Sequence, residues 1–174
     1  MWLNLLALLA ICGSLLAAFY YQIVFNELPC PLCQLQRVAL TLAGIGMLLN
    51  IRFGASNVHY AMILASALVG AATSMRQVLL HIAPGDQGYG SALFGLHFYT
   101  WGFISFVVMM VFCAFMLCVD RKAEKPSKRS ALNVGAMGVV ILFLILAAAN
   151  TVSSVMVCQF GACPDNPTQY LWKF

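Results

Sequence analysis

Residues 28–37 read Leu28-Pro29-Cys30-Pro31-Leu32-Cys33-Gln34-Leu35-Gln36-Arg37, two thiols set two residues apart between one apolar run and the start of the next. A helix crossing a membrane would surface here. Proline biases the residue before it toward an extended backbone and is favoured at the first helical position, so the two prolines predict an extended Cys30 and a helix beginning near Pro31. Cys33 then lies in the first turn, where free backbone amides and the positive end of the helix dipole favour a thiolate. Arg37 follows four residues later on the same helical face. The pattern predicts reactive thiols at a membrane surface.

With 63% hydrophobic residues, 8% charged and a mean hydropathy of +0.91, the 174-residue chain has too little polar material to cover a soluble core. An all-α integral membrane helical bundle is expected. The formal charge of +4 informs through its distribution, and nucleic acid is not among the expected partners. Seven cysteines suggest that some face an oxidising compartment.

Five apolar runs, 2–25, 34–51, 58–80, 97–119 and 131–157, approach or exceed the ~20 residues that cross the ~30 Å hydrocarbon layer of a lipid bilayer. A tail, 158–174, completes what is read as a single transmembrane domain over 1–174. Arg52, Arg121, Lys122, Lys125, Lys128 and Arg129 fall in the links after the second and fourth runs, which the positive-inside bias assigns to the cytoplasm. The N-terminus is then cytoplasmic, while Cys30, Cys33, residues 81–96 and the tail lie outside; Lys173 is the plain outside cation. The first run lacks the charged start of a cleaved signal, and Ile11 precedes Cys12 where a lipoprotein-type site wants a small residue, so it is read as a retained helix. Small residues four apart, Ser66 with Gly70, Ala67 with Ala71 and Ala131 with Gly135, predict close helix approach.

The tail carries a second pair in Cys158-Gln159-Phe160-Gly161-Ala162-Cys163. Gly161 is expected to give the turn the freedom to close a Cys158–Cys163 ring, and the charge argument puts this pair on the side of Cys30 and Cys33. So small a ring should stabilise by clearly less than the ~3 kcal/mol that chain entropy assigns to a 15-residue loop, which favours a redox role over a structural staple. The alternative is one zinc site built from all four thiolates, since both spacings suit that metal.

Three segments carry a resemblance: residues 30–37 opening a helix, Arg76-Gln77-Val78-Leu79-Leu80-His81 ending the third run, and Gly95-Leu96-His97-Phe98-Tyr99-Thr100-Trp101 opening the fourth. Together they resemble the disulfide bond formation protein B family, over about residues 2–119 in helix order. Members are bacterial inner-membrane enzymes that reoxidise a periplasmic thioredoxin-fold dithiol oxidase and pass the electrons to ubiquinone or menaquinone, the known relay that keeps the periplasm oxidising. By that likeness Cys30 exchanges with the second pair, Cys33 contacts the quinone, and Arg37 belongs to the quinone site. Typical members have four crossings and carry the second pair between helices three and four, whereas residues 81–96 contain no cysteine. The tail pair after a fifth helix resembles a five-helix branch, and its assignment as a catalytic pair, Cys158 with Cys163, rests on topology and spacing.

A guanidinium at Arg37 would favour both a Cys33 thiolate and negative charge on a reduced quinone oxygen; the alternative is that it snorkels to headgroups. Arg76, about one turn inside the third helix, is a second candidate for the quinone site because an unpaired charge there is expensive. His81 is a third, as a hydrogen-bond partner or proton shuttle, with an interfacial polar residue as the plain alternative. His97, Tyr20, Tyr21, Tyr99, Trp101 and Trp172 suit the membrane interface and its aromatic belt. Cys12, Cys113 and Cys118 read as small buried apolar residues. Two competing readings stand: an enzyme of the vitamin K epoxide reductase type, which also sets a membrane Cys-x-x-Cys against a quinone, and a non-enzymatic metal-binding membrane protein.

Overall fold

The computed structural model describes residues 2–119, 134–159, 161–165 and 167–171. The basic link at 121–129, Ala131, Trp172 and Lys173 lie outside the described residues. The elements are α1 (Trp2–Val24), α2 (Pro31–Phe53), α3 (Asn57–Leu80), β1 (Ala92–Leu93), β2 (Leu96–His97), α4 (Phe98–Val119) and α5 (Val134–Cys158). Each helix is long and apolar enough to cross a membrane, the shortest having 22 residues, or about 33 Å at ~1.5 Å per residue.

α2 packs on α3 across the short 54–56 link, α3 on α4, α1 on α2, and α5 against both α1 and α2. Apolar side chains point both ways, as lipid permits: Leu6, Val108, Val111 and Ile145 face out, while Leu8, Leu15, Met47, Ile63, Phe106 and Phe143 fill the core. Small residues set the contacts. Phe106 lies against Gly70, beside buried Ala67 and Ala71, and Phe143 lies against Gly44, where a methyl group would collide with the ring. Gly135 is exposed with open space around it, so the close approach expected there is not made.

Polar side chains gather at the two ends of the bundle. At one end Asn4 donates to the Tyr60 hydroxyl at 3.1 Å, Asn50 donates to Asn4 at 3.2 Å, and His59 Nδ1 lies 3.0 Å from Asn50 Oδ1, which ties α1, α2 and α3 together. The other end holds both cysteine pairs. Residues 81–97 bridge α3 and α4 there through a hairpin whose Phe94-Gly95 turn has φ of 52° and 80° at its two centres, the left-handed pair that a two-residue hairpin demands. Trp101 Nε1 donates to the Leu93 carbonyl at 2.9 Å and seats the hairpin on α4.

Candidate active site

The sequence at the start of α2 builds its own cap. Cys30 is extended (φ −67°, ψ 167°), Pro31 takes the first helical position, and Cys30 and Cys33 form a disulfide with Cα atoms 4.9 Å apart. The helix-start amide expected to serve Cys33 serves Cys30 instead: Cys33 N–H donates to Cys30 Sγ at 3.1 Å. The reason is cap geometry, which turns the third amide back toward the cap side chain. Leu28, Pro29 and Cys30 are buried, Cys30 to 6% exposure, whereas Cys33 is half-buried and opens onto a cavity of about 460 Å³. Gln36 and Arg37 share that cavity, with Tyr21 from α1 and Tyr99, Trp101 and Phe106 from α4. Tyr99, only 6% exposed, and Trp101 thus wall the site, where an aromatic belt was expected of them.

Arg37 is buried and anchored inward. Nη1 donates to Gln22 Oε1 at 2.6 Å, Nη2 to the Ala18 carbonyl at 3.1 Å, and the guanidinium lies 5.4 Å from the Phe19 ring centroid. Two of its five N–H groups are used in these bonds. Gln22 Nε2 in turn donates to Ser153 Oγ at 2.8 Å and to the Tyr170 hydroxyl at 2.9 Å, and Ser154 donates to Gln34 Oε1 at 2.9 Å. Ser154 precedes Cys158 by one helical turn, as Cys30 precedes Gln34. The end of α5 and its tail therefore lie beside the start of α2.

Cys158 and Cys163 form a second disulfide, Cα atoms 4.4 Å apart, in a turn closed by Gly161 N–H donating to the Cys158 carbonyl at 2.9 Å. The left-handed position of this turn is Gln159 (φ 47°), the residue just past the helix, so the freedom expected of Gly161 is used two places earlier in the chain's reversal. Among the described residues, no group of three or more His, Cys, Asp or Glu is placed to hold a metal ion.

Sequence reasoning missed Gln77. Its Nε2 lies 3.3 Å from Cys30 Sγ and 3.5 Å from Cys33 Sγ, and its Oε1 accepts from Gln36 Nε2 at 2.8 Å. Its neighbour Arg76 is exposed and does not line the cavity. His81 does not line it either: its Nδ1 is 3.2 Å from Asp86, and its ring stacks on Tyr99, as does that of His97. The Gly88 N–H, then the hydrogen bond from His81, hold the Asp86 carboxyl below the usual carboxylate range. Glu27 accepts from Ser91 N–H at 3.1 Å and from its hydroxyl, and Tyr89 donates to the Leu28 carbonyl at 2.6 Å, so the 81–97 loop is tied to the segment carrying Cys30. Burial, then the Glu27 charge, pushes the Tyr89 phenol above its ordinary value. Cys12 and Cys113 are buried as expected, but Cys118 is exposed near the far end of α4.

Residues 1–91 match the family described as disulfide bond formation protein DsbB, just over half of the 174 residues. The chain belongs to this family. Among similar curated proteins, each named disulfide bond formation protein B, that of Hahella chejuensis is 40% identical over 86 residues, covering 47% of this chain and 52% of the relative. That of Marinobacter nauticus is 36% identical over 90 residues (49% and 54%), and that of Pseudomonas syringae pv. tomato 43% over 82 (44% and 48%). The match therefore spans about half the length of these relatives. It takes in the front cysteine pair, Arg37 and Gln77, while α4, α5 and the tail pair lie beyond the matched family segment. No solved structure matches the chain.

Proposed function

We propose that this family member is a thiol:quinone oxidoreductase of the bacterial inner membrane, which reoxidises a periplasmic thioredoxin-fold dithiol oxidase and sends the electrons to ubiquinone or menaquinone. The observation that carries this reading is the shared cavity: Cys33 and Arg37 open onto one apolar, aromatic-walled space at the end of a membrane bundle. A space of about 460 Å³ falls in the range of small-molecule sites, and aromatic walls suit a flat ring. Tyr99 and Trp101 would flank such a ring, and the unused N–H groups of Arg37 would face its oxygens.

In the proposed cycle the partner's dithiol reduces the Cys158–Cys163 disulfide. A tail thiolate then attacks Cys30 Sγ, the Cys30–Cys33 bond breaks, and its electron pair stays on Cys33, facing the cavity. The second tail thiolate resolves the mixed disulfide, which restores the tail pair and leaves Cys30 reduced. A quinone held beside Cys33, Arg37, Tyr99 and Trp101 would supply the two-electron, two-proton acceptor that reoxidation of the front pair requires. The positive-inside bias supports an outside location for both pairs.

The test is turnover of the purified full-length protein with a reduced thioredoxin-fold oxidase and a soluble ubiquinone or menaquinone analogue. One quinone consumed for each partner disulfide formed is expected. Partner oxidation that proceeds at the same rate without quinone would overturn the reading.

A further inference from the structure

Gln77 is 2% exposed, and its amide points one way. With Oε1 accepting from Gln36 Nε2 at 2.8 Å and 3.9 Å from Cys33 Sγ, the NH2 group is the nearer of the two to both sulfurs, at 3.3 and 3.5 Å, and reversing Gln77 alone would set NH2 against NH2. Cys30 Sγ has a second donor in the Cys33 backbone N–H, while Cys33 Sγ has Gln77 at 3.5 Å. A disulfide sulfur accepts weakly and a thiolate strongly, so this contact strengthens when the pair opens.

We propose that Gln77 is a catalytic residue of disulfide exchange at the front pair, its NH2 group holding the Cys33 thiolate that leaves when Cys30 is attacked. The inference rests on the redox reading of that pair. The incoming thiolate sulfur bonds to Cys30 Sγ, the Cys30–Cys33 bond breaks, and the electron pair remains on Cys33 Sγ; no proton moves. A better-stabilised thiolate is a better leaving group. Gln77 thereby does for Cys33 what the helix cap does for Cys30.

The other charged or titratable side chains on the cavity are Arg37, Glu27, Tyr21, Tyr89 and Tyr99. They stay constant between variants, so a difference isolates Gln77. In full-length protein carrying Cys30→Ser, alkylation of the free Cys33 by iodoacetamide is followed against pH by mass spectrometry of its peptide. Gln77→Met should move the midpoint up by a pH unit or more, slowing alkylation near neutral pH about tenfold, and Gln77→Glu should move it further because a carboxylate opposes the thiolate. With both cysteines present, Gln77→Met should slow opening of the disulfide by dithiothreitol. Identical midpoints with and without the amide would overturn the proposal. If neither variant folds, Gln77→Asn, whose shorter amide draws back from Cys33 without changing the charge, carries the comparison: an upward shift of the midpoint supports the role, and an unchanged midpoint refutes it. None of these readings involves quinone, so the quinone assignment can fail without this inference failing, and the reverse.

Discussion

The Cys30–Cys33 disulfide is held from three sides, by the α2 cap, by Gln77 of α3 and by the buried Leu28-Pro29 approach, whereas the Cys158–Cys163 disulfide hangs on the last turn of one helix. Both tail cysteines are only half-buried, and Gln159, Gly161 and Ala162 around them are exposed. A fixed sulfur facing a cavity suits exchange with a membrane-soluble acceptor, because reacting atoms must be held in place. A half-buried pair ringed by exposed residues would suit a soluble partner, which must reach it. The proposed relay would use this difference, and the end of α5 lies beside the start of α2 without a long connection.

The largest effect that would sharpen this contrast comes from Cys33→Ser, which removes the sulfur on the cavity. Quinone reduction should fall to background while the purified variant keeps its helical circular dichroism; sustained turnover would take Cys33 out of the chemistry. Next, Cys158→Ser with Cys163→Ser should stop oxidation of the protein partner, yet dithiothreitol should still drive quinone reduction through the front pair. Smaller again, Arg37→Ala should raise the quinone KM or lower kcat by roughly tenfold to a hundredfold, the worth of one charge-assisted hydrogen bond at about 1.5–3 kcal/mol. Gln22→Met should lose only a few-fold on the same axis, because the guanidinium keeps the Ala18 carbonyl and the Phe19 ring. A Gln22→Met effect larger than that of Arg37→Ala would reverse the order of cause.

The smallest effect belongs to the 81–97 loop. The folded Asp86 carboxyl titrates below its unfolded value, so its contribution is present above the ordinary carboxylate value of ~3.9 and fades as pH falls through the lower folded value. Hydrogen-exchange protection factors of residues 83–90, taken relative to the intrinsic rate at each pH, should fall only in that acid range, and Asp86→Asn should flatten the change. An equal fall in Asp86→Asn would assign it to another group.

Much of this arrangement was legible. The two prolines dictated the extended Cys30 and the start of α2, and apolar runs of membrane length gave five helices. Charge did not point to Gln77. Arg76 drew attention as the expensive residue of α3, but its neighbour Gln77 lies about 100° around the helix and faces inward while Arg76 faces out. The stripe Ala67, Gly70, Ala71, Ser74 and Gln77, spaced by three and four, marks the buried face and would have identified Gln77. No local signal announces the Gln22 link between Arg37 and the tail. It joins residues 131 and 148 positions apart in sequence, which only packing brings together.

Electron transfer from the tail pair to Cys30 is tested most directly by trapping that step in full-length protein carrying Cys33→Ser with Cys163→Ser, and separately Cys33→Ser with Cys158→Ser, so that of the two pairs one tail thiol and Cys30 remain. Under mild oxidation, peptide mass spectrometry should find Cys30 disulfide-bonded to the remaining tail cysteine in at least one of the two proteins. If Cys30 stays free in both, and instead forms its mixed disulfide with the soluble partner, the tail is not the intermediate and the front pair works alone.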